Sequence, residues 1–199
     1  MNVSVAIETR IGAMDQDRCK YIATSNRTVL VLADGAGGVA GGTEAAEQVL
    51  RAADGFAEHQ YKSALDTLYA LDHSISRIGG MTTAVLVEAF SGYISGASVG
   101  DSVAWLLSSE GGVDLTQAQY RKPLLGDGAI PVAFGPTQFN GRLLIASDGL
   151  VKYVGWETIV QVARIENIWS AAKALVELPR LRSGSFPDDV AVILAETHL

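Results

Sequence analysis

The sequence has little cysteine, little basic charge and no long apolar run, and each shortage excludes a class of protein. The single cysteine, Cys19, cannot form an internal disulfide, and residues 1–10 lack the basic and apolar segments of a signal peptide. Lys and Arg number 15 against 22 Asp and Glu, whereas a nucleic-acid-binding protein carries a basic patch. No apolar stretch approaches the roughly 20 residues of a membrane-spanning helix. We expect a cytoplasmic protein with no nucleic-acid or membrane partner, and further expect a monomer.

Length and periodicity predict one domain built mainly from short strands. The 199 residues, 48% of them hydrophobic, are enough for one well-buried core and few for two, so we predict a single domain over residues 1–199. Apolar stretches predict strands near residues 3–9, 19–24, 27–33, 81–89, 92–98, 101–108, 142–147 and 189–195. Tight turns join several of them, which indicates mostly antiparallel sheets.

Helical periodicity interrupts the strands twice. Apolar residues recur at helical spacing after residue 43, and a capping box of Ser63 and Asp66 predicts the start of a second helix that ends by residue 78. A further helical pair is predicted over residues 156–178. The order of strands, two helices, strands, helices and a final strand predicts an α+β fold with helices packed outside antiparallel sheets.

Aspartates stand where several apolar strands begin or end. They are Asp34 in "LVLADGAGG", Asp101 in "SVGDSV", Asp148 in "LLIASDGL", and Asp188 and Asp189 in "FPDDVAVIL". Converging carboxylates are the ligands that hard cations such as Mg²⁺ and Mn²⁺ prefer. For any one of these residues alone, an ordinary turn role stays open.

The stretch "VLVLADGAGGVAGG" (29–42) has a second interpretation. A strand, a glycine loop and a helix in this order are loosely similar to a dinucleotide-binding motif. The glycine spacing differs from that motif, and Asp34 would repel a pyrophosphate. The metal-binding interpretation is therefore favoured.

Five motifs in a fixed order resemble the PP2C-type (PPM) metal-dependent protein serine/threonine phosphatases. They are "DGAGG" (34–38), "GGMTTAV" (79–85), "VGDS" (99–102), "ASDGL" (146–150) and "PDDVAVIL" (187–194). Each motif is weak alone, but their shared order spans nearly the whole chain. The resemblance implies an αββα sandwich of two antiparallel β-sheets flanked by α-helices. The flap that family members carry would be shortened here to about residues 108–141, where Gly and Pro predict loops.

The resemblance also implies a metal centre of two or three divalent cations, Mn²⁺ or Mg²⁺. Asp34 would bridge two cations, and the carbonyl of Gly35 would bind one of them. Asp148 and Asp188 would bind the other. Asp101 would be a ligand of a third, weaker site.

Three further positions follow from the same resemblance. Asp17 would hold a metal-bound water, and Gln16 stands where many relatives have Glu, a change that loosens one metal. Arg10 is the candidate for gripping the substrate phosphate with its planar guanidinium, although its spacing to Asp17 differs from the family pattern.

The activity implied is hydrolysis of phosphate monoesters on phosphorylated Ser or Thr of a protein substrate, by attack of a hydroxide that bridges two cations. A cysteine-dependent phosphatase is excluded, because Cys19 is not followed by the Arg of a C-x₅-R loop. The alternative is a catalytically weak or silent PP2C-like regulatory binding module, which Gln16 and the spacing of Arg10 favour. Metal occupancy would separate the two.

Overall fold

The protein is described from a computed structural model, which covers residues 2–12, 14–36, 41–59, 62–108 and 111–198. In this part of the chain the strands are β1 (Asn2–Arg10), β2 (Asp17–Ala23), β3 (Arg27–Ala36), β4 (Met81–Thr82), β5 (Ala84–Phe90), β6 (Tyr93–Val99), β7 (Val103–Ser108), β8 (Gly111–Asp114), β9 (Val132–Gln138), β10 (Arg142–Ala146) and β11 (Val190–His198). The helices are α1 (Gly42–Ala57), α2 (Ala64–Ser76), α3 (Asp148–Val151), α4 (Trp156–Ala163) and α5 (Ile168–Glu177).

These strands form two antiparallel sheets. The first has the order β1-β11-β10-β7-β8, and the second has the order β2-β3-β5-β6-β9, with β4 also paired to β3. Strands β1 and β11, from opposite ends of the sequence, pair along nine residues, from Asn2 with His198 to Arg10 with Val190. The predicted antiparallel sheets are confirmed.

Side chains of the central strands alternate between two hydrophobic layers. In β3, Leu30 and Leu32 face the layer between the sheets, whereas Val29 and Val31 pack with α1 and α2. Strand β11 shows the same alternation, because Ile193 faces the other sheet and neighbouring side chains pack with α4 and α5. Both faces of these strands are covered, so their sequences are apolar without interruption. The layers are therefore helices, sheet, sheet, helices, as predicted.

The four predicted helices are present as α1, α2, α4 and α5, and α2 begins at the predicted capping residue. Ser63 caps α2: its side chain accepts a hydrogen bond from the Asp66 backbone N–H at 3.1 Å and donates to the Asp66 carboxylate at 2.9 Å. Within the described part of the chain, no helix is long and apolar enough to cross a membrane.

The stretch from 108 to 141 differs from the loops that its Gly and Pro content predicts. It contains β8, which forms one edge of the first sheet, and β9, which forms one edge of the second. Pro136 lies inside β9, and an edge strand tolerates proline because one side of the strand has no hydrogen-bonded neighbour. The prediction of loops was therefore wrong for these two segments.

Candidate metal centre

Asp17 and Asp34 lie opposite each other on neighbouring strands. The register pairs Asp17, the first residue of β2, with Asp34, near the end of β3. Their carboxyl groups are hydrogen-bonded to each other. Two carboxyl groups in such contact need a shared proton or a bound cation, because two ionised carboxylates repel each other.

The main chain of Asp34 is fixed by a pair of buried threonines. Its carbonyl accepts from the backbone N–H of Thr83 at 2.8 Å and from the hydroxyl of Thr82 at 2.9 Å. Its N–H donates to the Thr83 hydroxyl at 3.1 Å, and that hydroxyl contacts the hydroxyl of Ser102 at 2.8 Å. These contacts leave the Asp34 carboxyl group as the part of the residue that can bind a ligand.

Gly35 lies where a side chain has no room. A Cβ at this position would collide with the backbone carbonyl of Gly42, at the start of α1. The glycine thus lets β3 and α1 approach closely beside Asp34. The following residues of the "DGAGG" motif, Gly37 and Gly38, lie outside the described residues.

The first sheet contributes its aspartates at the same end of the sandwich. Asp148 begins α3 just after β10, Asp188 precedes β11, and β10 and β11 are antiparallel neighbours. Ser147, completely buried between them, donates a hydrogen bond across to the Asp17 carboxylate at 2.6 Å. Its hydroxyl also accepts from the backbone N–H of Ala191 at 2.9 Å. This serine links the aspartates of the two sheets.

Burial and neighbouring carboxyl groups raise the pKa values of Asp34 and Asp148. Burial raises the pKa of Asp34 well above the ordinary range, and the charges of Asp17 and Asp148 add to the effect. Burial also raises the pKa of Asp148, with Asp101 and Asp188 as the next causes. All five groups therefore share one electrostatic environment, which favours a proton or a cation among them.

Two basic side chains border this acidic group. Arg121 Nη2 contacts an Asp101 carboxylate oxygen at 2.8 Å, and Lys152 Nζ lies 3.5 Å from a carboxylate oxygen of Asp188. Both line an open cavity of about 380 Å³ that also contains Asp101, Asp114, Gln119 and Asp148 in its wall. The cavity gives a solvent molecule or ligand access to Asp148.

The donor set matches a hard divalent cation in its chemistry. Carboxylate and backbone carbonyl oxygens are the ligands that Mg²⁺ and Mn²⁺ prefer. In this structure, however, no three Asp, Glu, His or Cys side chains of the described residues converge into a ready coordination group. Asp34 is hydrogen-bonded to Asp17, Asp101 is paired with Arg121, and Asp188 is paired with Lys152. Coordination by all of them would require changes of side-chain conformation.

Several solved structures with a similar fold are serine/threonine phosphatases. The S. agalactiae serine/threonine phosphatase superposes with a TM-score of 0.85 at 20% identity, over 99% of this chain and 100% of that chain. The catalytic domain of the phosphatase PstP, in complex with 2 manganese ions, superposes with a TM-score of 0.76 at 22% identity, over 98% and 97%. The PPM phosphatase MsPP from Mycobacterium smegmatis, in complex with cacodylate, gives 0.76 at 23%, over 98% of each chain. The chain has the PPM phosphatase fold. No family model and no curated protein matches the sequence.

Within this PPM fold, Arg10 ends β1 opposite Val190, and its guanidinium is paired with glutamates rather than with the aspartates of the site. Its Nε donates to Glu177 of α5 at 2.6 Å, and Nη1 lies 3.4 Å from a carboxylate oxygen of Glu8. The guanidinium is thus held by side chains of the first sheet and its outer helix. This ion pair joins Arg10 to a residue 167 positions away in the chain, and the phosphate-binding role of Arg10 stays a prediction.

Sequence reasoning assigned no role in the site to four residues that lie beside it. Ser147, Arg121 and Lys152 make the contacts described above. Asp189 accepts hydrogen bonds from the backbone N–H groups of Gly12 at 2.7 Å, Met14 at 3.4 Å and Gln16 at 2.7 Å, and so holds the β1–β2 connection. Ser147 and Asp189 lie inside the "ASDGL" and "PDDVAVIL" motifs, which could have indicated them. Arg121 and Lys152 lie in no motif.

Proposed function

We propose that the protein is a metal-dependent phosphoprotein phosphatase that hydrolyses phosphoserine and phosphothreonine monoesters. The observation that carries the proposal is the meeting of Asp17 and Asp34 from one sheet with Asp148 and Asp188 from the other, in a PPM phosphatase fold. One structure with this fold contains 2 manganese ions. Mn²⁺ or Mg²⁺ is accordingly the proposed cofactor. The phosphorylated protein substrate, action as a monomer and location in the cytoplasm stay predictions.

The chain's own residues would divide the work of holding two cations. Asp34 would supply a carboxylate to both, and Gly35 its carbonyl to one. Asp148 and Asp188 would supply carboxylates to the second, and Asp101 would serve a weaker third site. When bound, such cations acidify water and neutralise the charge of phosphoryl oxygens.

Several contacts keep these donors in place. Thr82 and Thr83 form hydrogen bonds with the main chain of Asp34 and so restrain the position from which its side chain extends. Ser147 fixes Asp17, which would accept a proton or a hydrogen bond from water beside the cations. Asp189 is already used by three backbone N–H groups, which supports Asp188 as the ligand of this pair.

The first prediction tests this assignment. After treatment with a chelator, wild-type protein is expected to lose hydrolysis of p-nitrophenyl phosphate and of a phosphothreonine peptide, and to regain both when Mn²⁺ or Mg²⁺ is added. Asp148→Asn is expected to lower kcat/KM by about a hundredfold or more, because it removes an anionic ligand. Elemental analysis should show fewer bound ions in the variant.

The control is Asp54→Asn. Asp54 lies on α1, where its carboxylate pairs with Lys20 at 2.7 Å, and its loss should leave activity within about twofold of wild type. Activity that persists after complete removal of divalent cations would reject the proposal. Cations bound without any hydrolysis would favour the silent binding module.

A further inference from the structure

A phosphatase needs cationic groups that bind the phosphoryl group of its substrate. In the conformation described, the Arg10 guanidinium is occupied by Glu177 and Glu8. Two other basic side chains, Arg121 and Lys152, line the cavity beside Asp148.

Arg121 has both the place and the free hydrogen-bond donors for this role. Its side chain is 80% exposed, and it lines the cavity that opens beside Asp148. Nη2 contacts Asp101, whereas Nε and Nη1 have no hydrogen-bond partner among the described residues. A planar guanidinium with unused donors can bind two oxygens of one phosphoryl group.

Lys152 lines the same cavity. It follows α3 directly, its side chain is 53% exposed, and its ammonium group contacts the carboxylate of Asp188 at 3.5 Å. The same ammonium group lies 5.3 Å from the centre of the Tyr153 ring. A lysine in this place supplies a single mobile positive charge rather than a fixed fork.

We propose that Arg121 and Lys152 bind the phosphoryl oxygens of the substrate at the mouth of this cavity, and this inference rests on the proposed function. Both side chains line the same cavity as Asp101 and Asp148, so a phosphate group bound by them would lie near aspartates that are proposed to hold the cations. Neither residue belongs to a motif of the sequence.

The existing contacts of the two side chains are weak enough to be exchanged. Ion pairs between exposed side chains contribute about 0–1 kcal/mol each. A phosphate dianion offers a larger charge and more acceptor oxygens than the single carboxylate oxygen that Arg121 and Lys152 each contact in this structure. If both side chains bound phosphate instead, the carboxylates of Asp101 and Asp188 would become available to the divalent metal ions.

The second prediction uses Arg121→Ala, Lys152→Ala, the double variant and Arg121→Lys. With saturating Mn²⁺ and p-nitrophenyl phosphate, each single Ala variant is expected to raise KM about threefold or more, and the double variant about tenfold or more, with kcat changed less than about threefold. Arg121→Lys should fall between wild type and Arg121→Ala, since it keeps the charge and loses the fork.

Binding of inorganic phosphate to the Mn²⁺-loaded protein, measured by calorimetry, is an independent readout. Its affinity should fall in the double variant by about the same factor as KM rises. The matched control is Arg180→Ala, which also breaks one exposed ion pair, with Glu177, but does not line the cavity. It should leave KM and phosphate affinity unchanged.

The outcomes separate this inference from the proposed function. If the double variant keeps KM and phosphate affinity within twofold of wild type, or loses kcat alone, the inference is wrong and the phosphatase assignment stands. If wild-type protein binds phosphate, loses this binding in the double variant and hydrolyses nothing, the inference stands and the proposed function fails.

Discussion

Neighbouring aspartates at the start of β11 have different surroundings. Asp188 is half-buried and contacts Lys152, whereas Asp189 is 6% exposed and accepts hydrogen bonds from three backbone N–H groups. The sequence motif contains both residues, and alternation predicts that they point in different directions. Only the tertiary structure shows that the backbone N–H groups between β1 and β2 donate to the carboxylate of Asp189.

Cys19 gives the third prediction. The thiol packs against the layer between the sheets, and burial, with the nearby charge of Asp17, raises its pKa to about 12. The thiolate is therefore almost absent at neutral pH, and iodoacetamide at about pH 8 should modify the folded protein at least a hundredfold more slowly than a free cysteine. Mass spectrometry checks this result.

The control for Cys19 is the same protein in concentrated urea, which should take up one equivalent of the reagent. Modification of the folded protein at the rate of a free thiol would show that Cys19 is neither desolvated nor protected.

At the scale of elements, the β1–β2 connection depends on one carboxylate from the other end of the chain. The carboxylate of Asp189 accepts hydrogen bonds from the backbone N–H groups of Gly12 and Gln16, at 2.7 Å each, and the bond from Gln16 is buried. This contact positions the residues just before Asp17. The backbone N–H groups of Gly12 and Gln16 thus have a defined position beside the site.

The fourth prediction concerns this contact. Asp189→Ala leaves backbone N–H groups without acceptors, so the free energy of unfolding should fall by about 2–5 kcal/mol, measured by urea denaturation in chelator. Asp188→Ala is the matched control and should cost less than about 1 kcal/mol, because its partner Lys152 is exposed. Equal losses in the two variants would contradict the role of Asp189.

Strands β8 and β9 show a second effect at this scale. Their sequences contain glycines and a proline that are typical of turns, yet each completes the edge of a sheet. A neighbouring strand, β7 or β6, supplies the hydrogen bonds that make them strands. Local propensity is overridden there by pairing with a strand that already exists.

At the scale of the whole molecule, carboxyl groups from two sheets are buried at one end of the sandwich. Burial and the charges of Asp17 and Asp148 raise the pKa of Asp34 in the folded protein above its value in the unfolded chain. Without divalent cations, the folded state therefore binds a proton more tightly than the unfolded state. Between the pKa of Asp34 in the unfolded chain and its higher pKa in the folded protein, the free energy of unfolding therefore decreases as the pH rises.

The fifth prediction follows from that sign. In chelator, the thermal midpoint of the wild type should decrease as the pH is raised from about 5.5 to 8. Asp34→Asn should show a smaller decrease, because it removes one of the titrating groups whose pKa is raised in the folded protein. Differential scanning calorimetry checks both slopes. A wild-type midpoint that rises over this interval would contradict the assignment, as would equal slopes in the two proteins.

The sequence by itself determined the layers of the fold and the identity of most candidate ligands. Alternation and helical spacing are local properties, so the central strands and all four long helices could be predicted from them. The "DGAGG", "ASDGL" and "PDDVAVIL" motifs indicate Asp34, Asp148 and Asp188 because a short stretch of chain carries each of them.

Tertiary structure decided which distant residues meet. The hydrogen bond between Ser147 and Asp17 spans 130 positions, and the ion pair between Arg10 and Glu177 spans 167. Arg121 and Lys152 come together beside Asp148 only because the segment after β8 returns to the end of β10. Contacts of this kind depend on how the two sheets stack and where their connections run, and no local pattern in the sequence specifies them.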